Sequence, residues 1–79
     1  MSYRIKRECW NEKTYNGYTD NPYWRIDLEN GLNFGLTDKG DIWCMNIGYP
    51  IDDYIKGDIR RIIKECKLNI KPDFSRFKQ

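Results

Sequence analysis

The hydrophobic pattern is clearest between residues 23 and 47. Residues 24–28 carry an apolar side chain at every second position, and residues 32–36 repeat this alternation. A period of two is typical of a β-strand with one buried face. Glycine-containing turn sequences separate the apolar runs at 29–31 and 38–41. We therefore predict an antiparallel meander with strands at about 23–29, 32–37 and 42–47.

The first turn of this meander can have two or three residues. A two-residue loop at Asn30-Gly31 would mix the two faces of the sheet, because a one-residue slip moves every side chain to the other face. A three-residue loop, Glu29-Asn30-Gly31, pairs Ile26 with Phe34. We predict the three-residue loop because it keeps one apolar face intact.

The second turn also has two alternatives. A two-residue loop at Lys39-Gly40 places Leu36 opposite Trp43, whereas a three-residue loop turns Ile42 and Cys44 inward. Buried apolar area contributes about 25 cal/mol per Å². We predict the two-residue loop because it buries the larger side chains.

The N-terminal part divides into a strand and a long connection. Residues 2–10 alternate, and their charged side chains suit an edge strand because charges discourage further pairing. Residues 11–22 are rich in turn-forming types and predict a loop. Tyr15 and Tyr18 flank an Asn-Gly pair in it. They either cover one end of the core or form a binding loop, in which aromatic contact area lies beside adaptable hydrogen-bonding groups.

The C-terminal part predicts one helix. Asp52 or Asp53 can cap it, and five apolar residues at helical spacing form one stripe between residues 55 and 66. We predict a helix at about 53–67, with a start at Asp58 as the alternative because Gly57 weakens a helix by about 1 kcal/mol. Pro72 ends regular structure and leaves a tail at 71–79.

Together these elements predict one α+β domain over residues 1–79. It has a small antiparallel meander sheet of three or four strands and one C-terminal helix packed on one face, in the order ββββα. The first strand, at about 2–10, is expected at the sheet edge. Through this edge the chain could also form a homodimer.

Charge is unevenly distributed along the chain, although the net charge is only +2. Residues 1–53 hold six Lys/Arg and nine Asp/Glu, and residues 54–79 hold eight and three. In the predicted helix, the face opposite the apolar stripe is basic and carries Lys56, Arg60, Arg61, Lys64 and Lys67. Such a face is either a solvated surface or an interaction surface.

Few residues suit catalysis. The chain has no histidine, no glycine-rich phosphate loop and only two serines, both near the termini. Cys66 falls at the C-terminal end of the predicted helix, where a thiolate is not favoured. Asp52 and Asp53 are interpreted as helix caps rather than metal ligands. We predict that the chain is not an enzyme and uses no metal or cofactor.

The chain has three cysteines, Cys9, Cys44 and Cys66, which is an odd number, and they are widely spaced in the sequence. This argues against a disulfide framework or a zinc site, and predicts small buried hydrophobic side chains in a reducing cytosol. The N-terminal residues do not resemble a signal peptide. Because no apolar run approaches the ~20 residues that span a bilayer, we predict a cytoplasmic protein without membrane association.

We predict a protein-binding module, since tyrosine and arginine are enriched at binding hot spots. A nucleic-acid-binding domain is the alternative, in which exposed aromatics stack on bases and the basic helix face follows the phosphates. The predicted partner-binding residues are Tyr15, Tyr18, Tyr23, Arg60, Arg61 and Lys64.

The composition carries a resemblance of general character. The chain lacks alanine and valine and uses Ile, Lys, Asn and Tyr heavily, as AT-rich codons produce. In size, AT-biased composition and lack of catalytic residues it resembles the small orphan proteins of phages and mobile elements. Many of those inhibit host defence or other host machines, anti-CRISPR proteins among them. The resemblance covers no motif and implies a small inhibitor acting in the host cytoplasm.

Overall fold

The computed structural model describes residues 2–46, 48 and 50–77 and shows an antiparallel sheet with a helix following it. The sheet order is β1-β2-β3-β4, a simple meander. This confirms the predicted α+β class and the order ββββα. The elements are β1 (Tyr3–Thr14), β2 (Gly17–Leu28), β3 (Asn33–Leu36), β4 (Ile42–Cys44), α1 (Asp53–Glu65) and a 3₁₀ turn (Ser75–Phe77).

The core lies between α1 and one face of the sheet, which we call the inner face. Fully or nearly fully buried aliphatic and phenylalanine side chains fill it, and each contributes about 1.5–3 kcal/mol through removal from water. Phe74 and Phe77 of the tail also pack against this core. The buried side chains are Ile26 and Leu28 of β2, Leu32, Phe34 and Leu36 in and before β3, Ile42 of β4, and Ile51, Ile59, Ile62 and Ile63 in and before α1.

The helix begins close to the predicted position. Asp52 is the N-cap, and its carboxylate accepts a hydrogen bond of 2.9 Å from the Ile55 N–H. Gly57 therefore lies inside the helix, and the alternative start at Asp58 is wrong. The helix ends at Glu65, two residues before the predicted end, and Lys67 reverses the chain with φ +55°. This left-handed residue explains the earlier end.

The β2–β3 loop has the predicted three residues. Ile26 pairs with Phe34 and Trp24 with Leu36, and the Leu28 N–H donates to the Leu32 carbonyl at 2.8 Å. Gly31 adopts φ +93°, which a residue without a side chain reaches at no steric cost. The apolar face predicted for these two strands is therefore confirmed.

The predicted β3–β4 register is wrong. Leu36 pairs with Ile42 and Gly35 with Trp43, so the loop has three residues and Ile42 enters the core. Gly40 closes this loop with φ +99°. The strand ends at Cys44 rather than residue 47, which lies outside the described residues.

Trp43 explains this register. It lies on the other face of the sheet, the outer face, where its indole ring crosses directly over Gly35. A Cβ atom on Gly35 would overlap three atoms of that ring. The glycine thus provides a flat site that a tryptophan can cover, and the smaller Ile42 fills the inner position.

The N-terminal strands are longer than predicted. Strand β1 continues to Thr14 and pairs with β2 throughout, so the predicted loop at 11–22 is wrong. Thr14 pairs with Gly17, and the turn between them has only two residues. Strand β3 pairs only with residues 24–27 of β2. The hairpin formed by β1 and β2, the first hairpin, therefore extends past the end of β3.

Pro22 fits inside this long strand because of its position. The Leu28 N–H points toward β3, and the backbone nitrogens of the other even-numbered residues of β2 point the same way. The nitrogen of Pro22, which carries no hydrogen, is one of them. Within the part of the chain that the structure describes, no third strand pairs there, because β3 reaches only Trp24. The missing N–H of proline therefore removes no ladder hydrogen bond.

The cysteines are free thiols, and their environment differs from the prediction. Cys44 and Cys66 are half-buried against the core, but Cys9 is exposed. Cys9 lies where the first hairpin leaves the rest of the sheet, so no core is available to bury it.

The contact between Gly35 and Trp43 predicts opposite effects for one substitution at two glycines. Gly35→Ala should destabilise the protein by about 1–3 kcal/mol, because the indole must move. Gly57→Ala should stabilise it by about 1 kcal/mol, because alanine favours a helix over glycine and no described atom outside the local helix backbone lies within 4 Å of the added methyl group. Urea unfolding measures both, and equal effects of the two substitutions would contradict this packing.

Candidate functional site

The most exposed element is the end of the first hairpin, residues 11–20, which we call the arm. All ten of its residues are exposed. Tyr15 at the turn is fully exposed and the Tyr18 side chain is 75% exposed. The Thr14 hydroxyl donates to the Gly17 carbonyl at 3.2 Å and closes the turn. The arm therefore contributes nothing to the core and presents two aromatic side chains to solvent.

The predicted tyrosines do not share one face. Tyr18 lies opposite Lys13. Its even-numbered position in β2 places it on the side of the β1–β2 hairpin that continues the inner face of the sheet. Tyr23 is at an odd-numbered position and lies on the outer face. Tyr15 is in the turn itself. Tyr15 and Tyr18 thus belong to the arm, whereas Tyr23 belongs to its base.

Three aromatic rings cover the outer face at the base of the arm. Trp10, Tyr23 and Trp43, which we call the aromatic cluster, come from β1, β2 and β4. Their ring centroids are 5.3–5.4 Å apart in tilted and edge-to-face arrangements, which are the favourable geometries for aromatic pairs. Because the cluster joins three strands, it fixes the point at which the arm leaves the sheet.

A hydrogen bond ties this cluster to the neighbouring strand. The Tyr23 hydroxyl donates to Glu8 at 2.6 Å, and Lys6 forms an ion pair with the same carboxylate at 2.9 Å. The hydrogen bond from Tyr23, aided by Lys6, lowers the pKa of Glu8 and the same bond raises the pKa of Tyr23. Glu8 thus stays ionised and Tyr23 stays protonated over a wide pH range.

A second network holds the inner side of the base. Arg7 donates two hydrogen bonds to Asp38, at 3.0 and 2.6 Å, and its guanidinium lies 4.8 Å from the centroid of the Trp24 ring. The hydrogen bonds from Arg7 lower the pKa of Asp38. Such bidentate pairs are strongly directional. The base of the arm is therefore held on both faces of the sheet.

A cleft of about 590 Å³ lies beside the aromatic cluster. The cluster forms its apolar wall, and the polar groups include Asp41, the Thr37 hydroxyl and Arg76 from the C-terminal 3₁₀ turn. Aromatic walls with a few polar groups are typical of binding clefts. Its lining residues are Trp10, Tyr23, Thr37, Asp41, Trp43, Met45 and Arg76.

The predicted basic residues lie on α1, on the other side of the sheet from Tyr23. The Arg60 guanidinium lies 4.8 Å from the centroid of the Phe74 ring. Arg61 pairs with Asp58 at 3.2 Å, and Lys64 is exposed in the last helical turn. The structure therefore does not combine the predicted aromatic and basic residues into one surface.

Sequence reasoning missed Trp10, Trp43 and Arg7. Trp10 follows Arg4, Lys6 and Glu8 at every second position of β1. This spacing indicates an aromatic residue on the face that points away from the core. The predicted β3–β4 register places Trp43 on the inner face, whereas the structure places it opposite Gly35 on the outer face. Arg7 gave no signal, because its partner Asp38 is thirty-one positions away in sequence.

No protein-family model, curated protein or solved structure matches this chain. Within residues 2–46, 48 and 50–77, no helix is long and apolar enough to cross a membrane. The same residues include no group of three or more cysteine or carboxylate side chains that could bind a metal ion.

The Tyr23–Glu8 hydrogen bond predicts a change in titration. In Tyr23→Phe the pKa of Glu8 should rise toward its ordinary value, whereas Tyr18→Phe should leave it unchanged. Because the folded-state pKa of Glu8 is lowered, this bond stabilises the fold above the ordinary pKa of glutamate, and the stability is lost as the pH falls through the folded value. NMR titration of the Glu8 side chain measures the shift. An unchanged value in Tyr23→Phe would contradict the assigned cause.

Proposed function

We propose that this chain is a non-enzymatic protein-binding module and that the arm contacts the partner. The observation that carries the proposal is that ten consecutive residues are all exposed, although eight of them pair as a regular two-stranded ladder around the turn. Their two tyrosines add large apolar surface that the core does not use. An ordered, exposed ribbon with aromatic residues at its end suits recognition better than it suits stability.

Preorganisation favours binding through this ribbon. The ordering of a flexible loop on association costs free energy, and a segment that is already ordered avoids part of that cost. The aromatic cluster and the Arg7–Asp38 pair fix the base of the arm, and the short turn fixes its end. The partner therefore meets a formed surface.

The open edges of the ribbon offer a second source of affinity. Among the described residues, no strand pairs with residues 17–23 of β2 on the side away from β1, and none pairs with the free side of β1. An extended segment of a partner can add to such an edge through main-chain hydrogen bonds. The tyrosines would then supply specificity as anchor side chains.

Charge favours a protein partner over nucleic acid at the arm. Its ten residues contain one lysine and two carboxylates, Glu12 and Asp20. Nucleic-acid affinity depends on cations that displace counterions from phosphates, and the arm supplies almost none. By occupying a surface of its partner, the chain would act as an inhibitor or an adaptor, and we propose inhibition.

A pull-down with tagged protein tests the proposal. Nuclease-treated lysate of the source cell or its host should yield one protein in stoichiometric amount, identified by mass spectrometry. Tyr15→Ala with Tyr18→Ala should reduce its recovery by about tenfold or more, because truncation of a hot-spot side chain costs about 2 kcal/mol or more and about 1.4 kcal/mol corresponds to tenfold in affinity. Unfolding stability should stay unchanged, because neither side chain enters the core.

The matched control is Tyr54→Ala, which removes an exposed tyrosine from α1. It should leave recovery unchanged. Recovery that depends on nucleic acid, or that falls equally in both variants, would contradict the proposal. So would steady turnover of a substrate by the purified protein that a single substitution abolishes.

A further inference from the structure

A groove of about 520 Å³ lies between the second half of α1 and the chain segment at 68–72. Its cationic residues are Arg60 and Lys64 from the helix and Lys71 from the segment. Aliphatic side chains of Ile63, Leu68 and Ile70 line it between them. The groove thus combines positive charge with apolar surface, and no acidic residue lines it.

Ion pairing distinguishes these cations from their neighbours on the helix. Lys56 lies 3.8 Å from Asp53, and Arg61 lies 3.2 Å from Asp58. Among the described residues, no carboxylate lies within ion-pair distance of the three cations that line the groove. Within the described ranges, the groove cations therefore have no ion-pair partner, while Lys56 and Arg61 pair with carboxylates of the same helix.

Arg60 is also held in position. Its guanidinium lies 4.8 Å from the centroid of the Phe74 ring, in a cation–π contact that needs no hydrogen-bond donors. The N–H groups stay available for a carboxylate, which a guanidinium binds through two parallel hydrogen bonds. The tail segment that carries Phe74 thus orients a cation at the groove.

We propose that this groove binds an acidic segment of a partner protein that also carries aliphatic side chains. Carboxylates of the segment pair with Arg60, Lys64 and Lys71, and its aliphatic side chains cover Leu68 and Ile70, which are only half-buried. Complementary charge governs the rate of association and the choice of partner. This surface lies across the sheet from the aromatic cluster and does not depend on the arm.

The apolar lining favours a peptide over nucleic acid. Grooves that bind single-stranded nucleic acid combine cations with exposed aromatic rings on which bases stack. Here the exposed apolar groups are aliphatic, and the nearby Phe74 ring is covered by Arg60. Phosphates would leave Leu68 and Ile70 without contacts.

Fluorescence anisotropy with labelled synthetic peptides tests this inference on the full chain. A peptide of alternating glutamate and leucine should bind, and its affinity should fall as salt is raised, because salt screens exposed charges. Two matched peptides should bind at least about tenfold more weakly. One replaces glutamate with glutamine and removes the charge, and the other replaces leucine with serine and removes the apolar contacts.

Two variants locate the binding site. Lys64→Gln with Lys71→Gln should weaken binding of the glutamate–leucine peptide by about tenfold. Arg4→Gln with Lys39→Gln removes the same charge from β1 and the β3–β4 turn, and should change binding less than about twofold. Circular dichroism confirms that each variant is folded. The proposal would be overturned if the two double substitutions weakened peptide binding equally or if the peptide did not bind. Tighter binding of a single-stranded oligonucleotide than of the peptide would also overturn it.

Discussion

The contact between α1 and the inner face of the sheet is the interaction on which the rest of the structure depends. The 13-residue helix α1 supplies Ile59 and Ile62, and these belong to the same buried cluster as Ile26 and Phe34 from the sheet. A chain of this length buries only about 60% of its unfolded surface, so a second covering layer is not available. The outer face and the long first hairpin must therefore be stabilised without a second helix.

The outer face is covered by its own side chains. Trp43 lies flat across Gly35 and meets Tyr23 and Trp10 from two other strands. Aromatic rings suit this position because they cover large areas while their edges remain in contact with water. The same contacts hold the base of the arm, so the feature that shields the sheet also orients the proposed binding element.

The two proposed surfaces lie in parts of the sequence with opposite net charge. The arm and the outer face belong to the acidic part of the chain, and the groove belongs to the basic part. Because the groove lies across the sheet from the aromatic cluster at the base of the arm, two partner segments could bind at once. This separation also explains why the predicted site residues did not converge on one surface.

The sequence was sufficient for the fold class and for the β2–β3 register, because only one arrangement kept Ile26, Phe34 and their neighbours on one face. It was not sufficient for the β3–β4 register, since Ile42 and Trp43 are both apolar and alternation does not rank them. The deciding factor was the space above Gly35 on the adjacent strand. A pattern within one strand does not contain that information.

The arm was missed for a different reason. A ribbon exposed on both faces needs no hydrophobic period, and its residues are types that are common in turns. Backbone pairing stabilises it, and the short turn brings its strands together. The sequence therefore predicts Tyr15 and Tyr18 as candidate contacts, although it does not predict the paired strands around them.

Shortening the arm tests the central claim most directly. Residues 11–20 would be replaced by Asn-Gly, which joins Trp10 to Asn21 by a two-residue turn, because this pair is already aligned in the ladder. The account predicts that stability stays within about 1 kcal/mol of the original value and that capture of the protein partner is lost. A shortened chain that captures the partner as well as the full chain, or that fails to fold, would contradict it.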